Sequence, residues 1–74
     1  KGVQPLDMIL TALELKNSAL VEASRDQLTF KMVAKGRRGR RLTLNAQMKI
    51  LGALNACQSQ KQFTLTDIFN YQGL

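Results

Sequence analysis

Leu6, Ile9, Leu10 and Leu13 recur at i, i+3, i+4 and i+7, and this spacing constrains the fold more than any other feature of the chain. A helix of 3.6 residues per turn gathers all four on one stripe, whereas a strand would scatter them over both faces. Residues 5–15 (PLDMILTALEL) therefore read as a first helix. Pro5 is tolerated in its first turn, where a missing N–H leaves no helical bond unmade. Asn17 or Ser18 can cap a short second helix with Ala19, Leu20 and Ala23 inward and Glu22 outward. Ser24, Arg25, Asp26 and Gln27 then break the apolar spacing and make a turn.

The same punctuation continues along the chain. Thr29 offers an N-cap, and FKMVAKGRR runs from it to Gly39, a residue suited to the left-handed position that closes a helix. Val33 is the candidate buried anchor of this third helix, Met32 is read as packing, and Gly36 weakens the interior by ~1 kcal/mol against alanine. Thr43 or Asn45 caps a fourth helix, with Leu44, Met48, Leu51 and Leu54 on one stripe and Ile50 and Cys57 beside it. After the polar connector QSQKQ, Thr64 and Asp67 have the spacing of a capping box ahead of Ile68, Phe69 and Tyr71. QLTFKMV is β-like in composition but is bracketed by the Thr29 and Gly39 signals. The expectation is one all-α domain of five helices spanning residues 1–74.

Charge is segmental. Up to Asp26 there are three basic and four acidic residues; from Gln27 to Thr66 there are eight basic residues and no acidic one. Residues 31–43 (KMVAKGRRGRRLT) alone carry six cations. A one-signed cluster of this density, in a chain of formal charge +6, is suited to a polyanion. Its alternative is a solvated loop that keeps the chain in solution.

Helix, short helix, polar turn, short basic helix closed by glycine, longer helix is the order of a helix-turn-helix domain. Leu20, Thr29, Val33 and Gly39, with the exit segment GRRLTLNAQMKILGALNA, resemble the Xre/Cro and lambdoid-repressor family over roughly residues 6–56. The turn between the second and third helices is about two residues longer than is usual there. Asn17 stands where that family often has glutamine, and Gly36 where it is usually apolar.

The resemblance implies a helix-turn-helix at about 17–39, a recognition helix at about 29–38 in the major groove of double-stranded DNA, and a role in transcription regulation. Counted from the Thr29 cap, Phe30, Lys31 and Lys35 would face the bases: lysine toward guanine O6 and N7, Phe30 toward a thymine methyl, with a buried Phe30 as the alternative. Arg37, Arg38, Arg40 and Arg41 would lie along phosphates, joined by Asn17 and Ser18. About six neutralised phosphates would give a log-log salt slope near about −5. The family pairs commonly as homodimers; Phe63, Ile68, Phe69 and Tyr71 are either such a pairing surface or the closure of the core. A bacterial or phage protein of the cytoplasm, associated with the nucleoid, is the implied setting.

Other classes fit less well. With no histidine and one cysteine, there is neither ordinary zinc-ligand spacing nor an internal disulfide, so the expectation is a reducing cytoplasm, no metal and no cofactor. Five carboxylates without a paired arrangement, and Cys57 inside an apolar pattern, offer no catalytic constellation. No apolar run approaches a bilayer span. The chain opens on Lys1 without a methionine, as either an excised domain or a trimmed chain would. The rival readings are an RNA-binding module gripping a backbone with the arginine-rich loop, and a protein-interaction module using the C-terminal FTLTDIFNYQGL.

Overall fold

A computed structural model describes residues 3–25 and 27–70. The described chain is all-α, with α1 Pro5–Ala12, α2 Asn17–Ala23, α3 Phe30–Arg38, α4 Leu44–Cys57 and α5 Leu65–Ile68. Leu6 and Leu10 of α1, Leu20 of α2, Val33 of α3 and Ile50 and Leu54 of α4 are fully buried, and Ile68 of α5 closes the same core. Each such aliphatic side chain contributes about 1.5–3 kcal/mol by leaving water. Val33 is the anchor its spacing promised.

The element ends show how local chemistry set the boundaries. The Thr29 hydroxyl accepts the N–H of Met32 at 3.1 Å, and that of Thr43 accepts Ala46 N–H at 3.1 Å. Each cap thus satisfies a donor that the helix leaves unpaired. At the far end of α3, Gly39 takes φ 91°; its N–H reaches Gly36 O at 3.4 Å, and that of Arg40 reaches Lys35 O at 3.0 Å. This is a Schellman closure, which favours a residue without Cβ. The Asp67 carboxylate accepts both the N–H and the hydroxyl of Thr64 at 2.8 and 3.1 Å.

Four expectations need correction. α1 stops at Ala12 rather than near residue 15, because the chain reverses through Glu14 at φ 58° and Leu15 N–H folds back onto Leu10 O at 2.9 Å. The N-cap of α2 is Lys16, without a side-chain cap, so neither Asn17 nor Ser18 plays that part. The buried face of α4 is Ala46, Gln47, Ile50, Ala53 and Leu54, while Leu44 and Met48 are half-exposed. Packing against α2 and α5 selected a face rotated from the most apolar-looking stripe. Gly36 is a buried contact point rather than a weak spot: a Cβ there would stand 3.3 Å from Ile50 Cδ1 and Leu42 Cδ1 and 3.5 Å from Leu6 Cδ2. The missing side chain lets α3 settle onto α1 and α4.

Side-chain amides hold the irregular segments. Asn55 accepts Phe63 N–H at 2.9 Å and donates to Phe63 O at 3.1 Å, seating the segment after α4 with Phe63 inward. Buried Gln4 accepts Asn70 N–H at 2.9 Å, and its own N–H reaches Arg37 O at 3.3 Å, so both ends of the described chain meet beside α3. Phe63, Ile68 and Phe69 close the core, the second of the two roles open to them; Tyr71 lies outside the described residues. Leu28, 4% exposed, anchors the turn between α2 and α3, a position masked in sequence by its polar neighbours.

Candidate nucleic-acid interface

The third helix turns one face inward and the other to solvent. Val33 and Gly36, three apart, are buried. Lys31, Lys35 and Arg38, at i, i+4 and i+7, share the opposite side; Lys31 and Arg38 are exposed and Lys35 is half-buried. Three cations are thus aligned along about two turns without a carboxylate among the residues of the helix. Arg40 and Arg41 follow beyond the glycine, both exposed. The Schellman turn at Gly39 ends the helix before them, so these two cations lie in the segment leaving α3.

Thr29 and Phe30 stand at the helix start. The threonine is exposed with its hydroxyl engaged in the cap. Phe30 is 58% exposed, which excludes the buried role left open for it. Phe30 is therefore a surface residue of the helix start rather than a core element. Phe30 lines an open groove of about 510 Å³ with Asn17, Ser18 and Arg37, so four of the expected site residues meet at one place. Leu10 and Leu15 floor it, while Glu14 and Lys16 stand at its margin.

Arg37 is held by side chains of two other helices, whereas Arg38 Nε reaches Ala34 O of its own helix at 3.4 Å. Arg37 Nε donates to Asp7 Oδ1 at 2.6 Å, Nη1 to Asn17 Oδ1 at 2.8 Å and Nη2 to Thr11 Oγ1 at 3.2 Å. Asn17, expected as a phosphate donor, presents its carbonyl oxygen to Arg37. The spacing held a signal of this arrangement: Arg37 is four residues after the anchor Val33 and so lies toward the packed side of α3. Its partners Asp7 and Thr11 were not among the expected site residues, because nothing local marks a side chain 30 or 26 positions away.

Among the described residues, no cluster of three or more histidine, cysteine, aspartate or glutamate side chains comes together. Burial pushes the Cys57 thiol above its ordinary pKa, and its Sγ lies 3.5 Å from Ala19 O between α2 and α4. A thiol kept protonated and packed between helices is a poor nucleophile. No described helix is long and apolar enough to cross a membrane. Compared with known families, with curated proteins and with solved structures, the chain matches none.

Proposed function

We propose that this chain is a sequence-specific, double-stranded DNA-binding domain of a transcriptional regulator, of helix-turn-helix type and similar to the Xre/Cro group. The observation that carries the reading is the cationic face Lys31, Lys35 and Arg38 of α3, continued by Arg40 and Arg41. A helix fits the major groove, and donors at its start reach base edges while flanking cations hold phosphates. In this reading α3 lies in the groove. Phe30 and Lys31 meet the bases at its N-terminal end, Phe30 against a thymine methyl and Lys31 on guanine acceptors. Lys35 is the third base-facing side chain. Arg38, Arg40 and Arg41 neutralise phosphates, with Ser18 as a neutral phosphate donor. Those contacts raise affinity without distinguishing sequences. The proposed setting is the cytoplasm of a bacterium, or its phage, on the nucleoid.

Pairing on two half-sites about 34 Å apart, the habit of the group it resembles, would use a face other than Phe63, Ile68 and Phe69, which are buried. The test is a titration of randomised duplex DNA and of structured RNA at two salt concentrations, with sequencing of the bound DNA. Enrichment of one motif with a steep salt slope supports the reading, and a palindromic motif adds the dimer. Equal binding to all sequences, or a preference for RNA, overturns it in favour of a backbone grip.

A further inference from the structure

Residues 37–41 look like one basic patch, yet the first of them leaves α3 on the side away from Lys31, Lys35 and Arg38. Its guanidinium is engaged at Nε, Nη1 and Nη2 by Asp7, Asn17 and Thr11, at 2.6, 2.8 and 3.2 Å. Two of those acceptors belong to α1 and one to the first residue of α2. The backbone carbonyl of the same residue accepts the N–H of Gln4 at 3.3 Å, just ahead of α1. Three helices are therefore referenced to one planar group.

The fork geometry matters. A guanidinium presents its five N–H donors in a fixed plane, so three acceptors on two other helices define that plane and, through it, the rotation of the last turn of α3. A phosphate has little to gain there, because the Asp7 carboxylate already neutralises the charge and would repel the approaching anion. We infer that Arg37 is a positioning residue: it sets the orientation of α3 against α1 and α2 and makes no contact with the DNA backbone. The inference rests on the DNA-binding reading above. Asp7, Thr11 and Asn17 hold the fork, and the cationic face is aimed by residues that never touch the nucleic acid.

Charge and positioning predict opposite signs for one substitution. Asp7→Asn raises the formal charge from +6 to +7, which by charge alone tightens binding to any duplex. By positioning it weakens binding, about two- to thirtyfold for a perturbed network of this kind. The experiment measures affinity against salt for the duplex selected from the randomised pool, using the parent, Asp7→Asn, Arg37→Gln, Arg38→Gln and Thr11→Ala. Arg38→Gln should reduce the salt slope by about 0.9. Arg37→Gln and Asp7→Asn should weaken binding with the slope unchanged. Thr11→Ala removes only the longest of the three bonds, keeps the comparison open should the others unfold, and should weaken binding in the same direction.

Asp7→Asn binding as tightly as the parent or more tightly, or Arg37→Gln flattening the slope as Arg38→Gln does, would overturn the inference. A measurement on the free protein separates this failure from that of the DNA reading. The Nε–H resonance of Arg37 should be protected from exchange in the parent and lose this protection in Asp7→Asn. If the parent binds no duplex while that protection is present, the DNA reading fails and the orientation of α3 stands. If Arg37 Nε–H exchanges as fast in the parent as in Asp7→Asn, the positioning role fails whatever the protein binds.

Discussion

Arg37 Nε lies 2.6 Å from Asp7 Oδ1, joining the last turn of α3 to the first turn of α1 across 30 positions of sequence. The arginine side chain is 20% and the aspartate side chain 38% exposed, so solvent screens the pair in part. A charge-assisted bond in this setting should couple the two residues by about 1 kcal/mol. A double-mutant cycle of Asp7→Ala and Arg37→Ala in denaturant checks it, with additive losses as the contrary result.

Gly52 offers a stabilising substitution. It lies inside α4, and a Cβ built there meets nothing within 4 Å. Gly52→Ala should raise stability by up to about 1 kcal/mol through helix propensity and a less flexible unfolded chain. Gly36→Ala has the same propensity gain but must move Ile50 and Leu42, each 3.3 Å away, so it should fall short of Gly52→Ala. Thermal melts of both variants decide the order, and equal gains would mean that the contacts around Gly36 give way freely.

Asn55 pairs both backbone groups of Phe63. Asn55→Ala leaves those groups unpaired beside a buried ring and should cost about 1–3 kcal/mol. Hydrogen exchange should show the loss concentrated in residues 63–70, which this amide seats. Uniform loosening of all five helices would contradict a local pin.

The N–H of Thr64, followed by its hydroxyl, holds the Asp67 carboxyl below the ordinary aspartate range, with Lys61 assisting. The folded value lies below the unfolded one. The contribution is therefore complete above the unfolded value of about 3.9 and is lost as pH falls through the folded value. Asp67→Asn should be less stable than the parent at neutral pH, and the two should converge in acid. A difference independent of pH between 2 and 7 would show that Thr64 does not act through the charge.

Removing a fully buried side chain tests how much the core carries. Leu54→Ala and Leu20→Ala should each cost about 2–5 kcal/mol, a large share of the stability open to so small a domain. Met48→Ala, on the exposed side of α4, should change stability by less than about 0.5 kcal/mol. Urea unfolding of the three checks this order, and a Met48→Ala loss as large as that of Leu54→Ala would contradict the burial of one end of the stripe and the exposure of the other.

Local chemistry marked five helices and both ends of α3, whose signals lie within a few residues, but not the end of α1 or the uncapped start of α2, which follow from the chain reversal at Glu14. Thr29 caps its own helix three residues on, Gly39 closes it, and Val33 is placed by spacing from the cap. Segmental charge likewise marked the third helix as the basic element from the sequence. Tertiary packing decided which faces those helices use. Leu44 and Met48 went to the surface, while the face with small Ala46 and Ala53 beside Gln47, Ile50 and Leu54 was buried. Phe30 stayed in water, Gly36 became a contact point and Arg37 turned inward to Asp7, Thr11 and Asn17. Periodicity states that a face exists, but the partner that buries it comes from distant parts of the chain, and only the folded chain brings those parts together.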